Sequence, residues 1–179
     1  LKARKNLKRK NEFKRILISF GGSDPSNETT KALSAIIDLG KKYKIDVIVG
    51  TNNPNKKQIM KLCSKFPFCD FYEQVENISK YMKKADLALG AGGSTTWERC
   101  CLGLPTIVVN LSKDQEKITE NLSKIGCVIN LGSAEKTTKL DYVKALNEIN
   151  SKKLREISKK CLVLVDGKGV KRIANKIFQ

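Results

Sequence analysis

The sequence predicts a three-layer α/β domain: about six parallel strands flanked by helices. Three observations carry this. Strand and helix patterns alternate along the chain, the signature of a sheet covered by crossover helices. Segments such as "ILISF", "VIVG" and "TIVV" are apolar at consecutive positions, as strands buried on both faces must be. The chain has 179 residues, enough for one domain to bury roughly 70% of its unfolded surface.

The elements follow in order. "RILISF" (15–20) is the first strand, and "GGSDPSN" turns into an amphipathic helix, "ETTKALSAIIDLGKKY". "IDVIVG" (45–50) is a strand, "TNNPN" breaks it, and "KKQIMKLCSKF" is helical. "CDFYEQV" is a weaker strand and "NISKYMKKA" a short helix. "DLALG" leads through a glycine-rich corner into helix "TTWERCCLG", then strand "PTIVVN". Helix "DQEKITENLSKIG", strand "CVINLG" and helical stretches near 138–149, 151–162 and 168–178 complete the chain.

Composition narrows the function. Hydrophobic residues make up 40% and charged residues 30%, a soluble globular balance. No apolar run approaches the ~20 residues of a membrane span, and no apolar core of a signal peptide follows the basic start. The net charge is +17, and residues 1–15 supply +7 of it from eight cations set against Glu12. This segment reads as a basic linker, or as a patch for nucleic acid or an anionic membrane surface. Only Phe13 interrupts it, so the aromatic platforms of single-strand binders are missing there. No specific nucleic-acid partner is expected, and at most a weak anionic membrane contact.

The six cysteines, Cys63, Cys69, Cys100, Cys101, Cys127 and Cys161, include no C-x-x-C pair. They read as buried free thiols of a reducing, cytoplasmic compartment. The chain has no histidine, which removes the commonest metal ligand and general base. No metal site and no cofactor are expected.

Ligands of open parallel sheets bind beyond the carboxyl ends of the strands, where strand order reverses. The corners after the first and fourth strands are therefore the places to inspect. In "GAGGSTTWE", glycines permit close approach of a ligand, and a helix start offers unpaired N–H groups. Gly92, Gly93, Ser94 and Thr95 suit a pyrophosphate, and Glu98 suits ribose hydroxyls. The same letters also fit a capping box, Thr95-x-x-Glu98. The pattern is neither a P-loop nor G-x-G-x-x-G after the first strand. In the first corner, Asp24-Pro25 reads as helix cap and first-turn proline, with Gly21, Gly22 and Ser23 open to a phosphate or sugar. Trp97 reads as core or as a stacking platform. "VDGKGVKR" reads as a loop or as an anion-binding nest.

"ILISFGGSDPSN" (16–27), "DLALGAGGSTTWERCCLGLPTIVV" (86–109), "DQEKITENLSKIG" (114–126) and "VDGKGVKRIANKI" (165–177) together resemble one family. It is that of PseG-like UDP-sugar hydrolases of pseudaminic acid biosynthesis and their spore-coat polysaccharide relatives. The resemblance covers about residues 13–179. It implies the carboxyl-terminal, Rossmann-like half of a B-type glycosyltransferase fold, at 15–179 after a linker at 1–14. It also implies release of UDP and a free diacetamido-trideoxy sugar from a UDP-sugar.

By position, the resemblance gives Glu98 to the ribose and Gly92, Gly93, Ser94 and Thr95 to the phosphates. It gives Val75 to uracil, and Gly22 and Ser23 to the cleft. Asp114 and Gln115 match an Asn-Gln pair near the sugar, with Asp replacing a neutral amide. The family's amino-terminal domain and its base histidine are not in this sequence, so that domain, or a separate subunit, is an expected partner. Asp24 and Asp114 are the carboxylates considered as a substitute base. No catalytic residue is assigned, and binding with little turnover is expected of this chain alone. A donor-binding domain of a UDP-sugar glycosyltransferase is the alternative.

Overall fold

The computed structural model describes Arg4 and residues 13–178. The basic segment therefore lies almost wholly outside the described residues. The elements run β1 (Arg15–Ser19), α1 (Glu28–Asp38), β2 (Lys44–Val49), α2 (Lys56–Cys63), β3 (Cys69–Glu73), α3 (Ser79–Lys84), β4 (Leu87–Ala91), α4 (Thr95–Cys101), β5 (Thr106–Asn110), a 3-10 turn (Lys113–Gln115), α5 (Glu116–Lys124), β6 (Ile129–Ser133), α6 (Lys139–Asn147), α7 (Ser151–Leu164) and α8 (Gly169–Ile177).

The six strands form one sheet in the order β3-β2-β1-β4-β5-β6, and each neighbouring pair is parallel. The expected architecture is therefore present. Strand order reverses between β1 and β4, which pair in register Ser19 to Gly90. Because both strands run the same way, the two glycine-rich corners leave the sheet side by side.

The continuous apolar strands feed two faces, since neighbouring side chains on a strand point oppositely. Ile16, Ile18, Val47, Val49, Leu87, Leu89, Ile107 and Val109 join α1 and α6 in one core. Leu17, Ile48 and Ala88 turn to the other side and meet Met82, Leu102 and Leu104. Val108 packs there with Cys100, Leu122, Ile157 and Cys161. Each fully buried Leu or Ile contributes about 1.5–3 kcal/mol, so both layers are strongly held.

Several element ends fall short of the sequence reading by one to three residues, and α1 and the helix after β5 differ in kind. Helix α1 stops at Asp38 rather than continuing to Tyr43. Gly40 takes φ +62°, a left-handed conformation that ends the helix. Tyr43 is then free to pack its ring 4.6 Å from that of Phe13. The "DQEKITENLSKIG" helix is split, its start tightened into the 3-10 turn.

Candidate functional site

The first corner is built by a buried carboxylate. After β1 the chain passes Phe20 into exposed Gly21, Gly22 and Ser23, then buries Asp24 at φ +43°. The Asp24 carboxylate accepts N–H bonds from Glu28 and Thr29, each at 2.9 Å. Asp24 thus caps α1 as expected, but from four residues upstream. Pro25 is not in the first helical turn: it occupies a β-turn closed by the Asn27 N–H donating to Asp24 O at 3.1 Å. With both oxygens engaged, Asp24 is a cap and offers no ready base.

The next residue inward is also charged. Glu28 is fully buried and accepts from Lys31 Nζ at 2.6 Å and from the Tyr142 hydroxyl at 2.7 Å. Lys31 further donates to the carbonyls of Ala134 and Thr137. This network ties α1 to α6 behind the corner. Behind Gly22 stands Gly50, at the end of β2. A Cβ on Gly50 would lie 2.3 Å from Gly22 O, so the backbone at Gly50 presses directly against the first corner.

The second corner shows which N–H groups are free. The Gly92 N–H donates to Val109 O at 3.0 Å, so Gly92 does not supply a phosphate donor, contrary to the sequence expectation. Its role is spatial. A Cβ there would lie 2.5 Å from Thr119 Cγ2 and 2.7 Å from Asn110 Oδ1. Among the described residues, the N–H groups of Gly93, Ser94 and Thr95 have no protein acceptor. Three consecutive donors at the end of β4 are therefore open, on residues that are exposed or half-buried.

The capping-box reading does not hold. Ser94 is the N-cap of α4, and no side-chain cap bond forms there. Thr96, Arg99 and Cys100 point inward, while Trp97 and Glu98 are exposed. Trp97, at 42% exposure, is thus not a core residue. Glu98 is exposed on the same outer side, one turn beyond the open N–H groups.

Arg99 is the residue that sequence reasoning missed. It is 2% exposed. Its Nη2 donates to Ala91 O at 2.6 Å and Thr96 Oγ1 at 2.9 Å, and its Nη1 to Thr95 Oγ1 at 3.4 Å. Burial lowers its pKa to about 10. Gly90 lies beneath it: a Cβ there would lie 2.5 Å from Arg99 Nη1 and 2.6 Å from the backbone oxygen of Ser19.

The turn after β5 completes the corner. Gln115 Oε1 accepts from the Leu111 N–H at 3.0 Å. Its Nε2 lies 3.7 Å from where a Gly93 Cβ would stand. Thr119 donates to Asn110 Oδ1 at 2.8 Å and accepts from Asn130 Nδ2 at 3.2 Å. Asp114 is exposed on the 3-10 turn. Gly92, Gly93 and Gln115 are therefore in one place, and Gly22 and Ser23 lie at the neighbouring strand end.

Val75 lies farther off, beyond β3 at the sheet edge. It helps line a pocket of about 460 Å³ with Tyr72, Gln74, Glu76 and Tyr81. Gln74 holds φ +52° there. In "VDGKGVKR", Asp166 accepts from the Lys168 N–H at 2.9 Å and from Arg172 at 2.6 and 3.1 Å. That is a closed loop, with its carboxylate already paired.

All six cysteines are free thiols. Among the described residues, no cluster of His, Cys, Asp or Glu could hold a metal, and no helix is long and apolar enough to cross a membrane.

Comparison with known proteins supplies the lineage. The chain is 28% identical over 176 residues to the spore coat polysaccharide biosynthesis protein SpsG of Bacillus subtilis, covering 96% of this chain and 52% of that protein. It is 28% identical over 178 residues to the UDP-N-acetylglucosamine–N-acetylmuramyl-(pentapeptide) pyrophosphoryl-undecaprenol N-acetylglucosamine transferase of Campylobacter fetus, covering 95% and 51% respectively. The crystal structure of MurG from Acinetobacter baumannii superposes with a TM-score of 0.75 at 16% identity, over 98% of this chain and 52% of that one. The chain thus spans about half the length of these relatives. The profile of the glycosyltransferase family 28 C-terminal domain matches residues 16–177, and the chain belongs to that family.

Proposed function

We propose that this domain binds the UDP moiety of a nucleotide sugar at the corner between β4 and α4. The observation that carries the reading is the set of open N–H groups on Gly93, Ser94 and Thr95, beside exposed Glu98, at the point where strand order reverses. Backbone donors in that position suit phosphate oxygens. A carboxylate one turn away suits ribose hydroxyls. Gly22, Ser23, Asp114 and Gln115 line the neighbouring sugar side, and the loop at Val75 receives the base.

Two reactions fit such a domain. The first is hydrolysis of a UDP-diacetamido-trideoxy sugar, with release of UDP. The second is sugar transfer, which the family and the Campylobacter transferase favour. Both need positioning and phosphate charge stabilisation, which this chain offers. Both also need a proton acceptor. The chain has no histidine, and Asp24 is engaged as a cap. Asp114, exposed on the 3-10 turn, is the other carboxylate, and an amino-terminal domain or a separate subunit is the proposed source of the base.

A thermal-shift series with UDP, TDP, CMP and GMP tests the reading. UDP raises the melting temperature, and CMP and GMP do not. An equal response to all four, or to none, contradicts it. UDP release from the diacetamido sugar nucleotide, with the partner domain added, then separates hydrolysis from transfer.

A further inference from the structure

The buried guanidinium of Arg99 has no ion-pair partner among the described residues, and burial outweighs the pull of Cys100 and Glu98 on it. Its partners are a carbonyl and two hydroxyls, all neutral. Its Nε is buried without a hydrogen-bond partner. Glu98, its neighbour in sequence, is exposed and forms no ion pair with it, although its charge is felt at Arg99.

A buried charge without a partner opposes folding. This one is nevertheless seated against Gly90, where a Cβ would meet both Arg99 Nη1 at 2.5 Å and the Ser19 carbonyl oxygen at 2.6 Å. The guanidinium binds residues 91, 95 and 96. It therefore brackets from below the segment whose N–H groups are open. In a low-dielectric setting its field reaches that segment weakly screened. An anion there would supply the counter-charge that no ion pair provides.

We propose that Arg99 is a positioning residue for the ligand's diphosphate: it supplies the internal positive charge behind Gly93–Thr95 and orients the Thr95 hydroxyl, without touching the ligand. This rests on the nucleotide-diphosphate reading above. It goes beyond that reading by assigning phosphate selection to a side chain that is buried. It also explains why a charged residue occupies an inward position of a short helix.

The test titrates wild type, Arg99→Met and Arg99→Lys with UDP and with uridine, alongside melting curves without ligand. Arg99→Met is expected to lose about tenfold or more in UDP affinity, equivalent to one decade of binding constant. Its uridine affinity should stay within about twofold of wild type. Arg99→Lys should recover part of the UDP loss, because it restores charge but not the fork of donors. Arg99→Met should melt within about 4 °C of wild type, because the removed charge was unpaired.

An unchanged ratio of UDP to uridine affinity in Arg99→Met overturns the proposal while leaving the binding site standing. Failure of Arg99→Met to fold assigns Arg99 a structural role and also overturns it. If wild type ignores UDP and uridine, inorganic pyrophosphate is the deciding probe. Stabilisation of wild type but not of Arg99→Met upholds Arg99 and rejects the uridine reading, and stabilisation of neither rejects both.

Discussion

Gly92 and Thr119 pack so closely that a methyl group on Gly92 would stand 2.5 Å from Thr119 Cγ2. Thr119 is itself fixed by hydrogen bonds to Asn110 and Asn130, so it cannot swing aside freely. Gly92→Ala should therefore cost about 1–3 kcal/mol, the usual range for overpacking a filled site. Gly93→Ala meets only Gln115 Nε2, at 3.7 Å, and should change stability by no more than about 0.5 kcal/mol. Urea denaturation of both variants checks the contrast. Equal losses would mean that the corner is not wedged at Gly92.

Gly50→Ala probes the first corner from behind. The added carbon would meet the Gly22 backbone at 2.3 Å, and backbone yields less readily than a side-chain tip. A loss of about 2–3 kcal/mol is expected. The first corner should move with it, so nucleotide-sugar affinity should fall more than affinity for UDP alone. Parallel losses for the two ligands would remove Gly22 and Ser23 from the sugar side.

Tyr142 gives the fold a pH signature. Burial and the charge of Glu28 push its hydroxyl pKa above the ordinary value. The unfolded chain releases that proton near pH 10, while the folded chain holds it. The stabilisation is thus fully present below about pH 10 and is lost as pH rises above it. Wild type should lose about 1.4 kcal/mol per pH unit more than Tyr142→Phe above that point. At pH 7 the variant should be about 1–3 kcal/mol less stable, since Glu28 loses a donor. Denaturation curves between pH 7 and 11 decide this, and curves that stay parallel above pH 10 would contradict it.

Most of the fold was legible because local pattern and tertiary demand agree. The consecutive apolar residues of β1, β4 and β5 are buried on two faces, so their sequence admits little else. The two corners were legible because glycine and hydroxyl residues cluster there. The rest depends on contacts between distant residues. Nothing local says that Gly50 backs Gly22, or that Gly90 faces both the Ser19 backbone and Arg99. Trp97 and Arg99 show the limit most clearly. Hydrophobicity alone places the tryptophan inside and the arginine outside. Yet Thr96, Arg99 and Cys100 share the inward face, and Trp97 is turned out with Glu98. Likewise Gly92 looked like a phosphate donor until its N–H was found on Val109.

The exposure of Trp97 is itself testable. Trp97→Ala should alter stability by no more than about 0.5 kcal/mol, measured by denaturation. A loss of about 3 kcal/mol or more, typical of a buried tryptophan, would contradict the outward orientation of that face.

In the proposed complex UDP occupies the corner between β4 and α4, with its ribose on Glu98. A calorimetric titration of wild type and Glu98→Ala with UDP, with CMP and GMP as controls, tests it most directly. UDP-selective binding by wild type is the expected result. Glu98→Ala should show about a tenfold or greater loss, the scale of a hydrogen bond to a charged group. The variant should melt like wild type, because Glu98 is exposed. Undiminished UDP binding by Glu98→Ala, or equal binding of all three nucleotides by wild type, would contradict that placement.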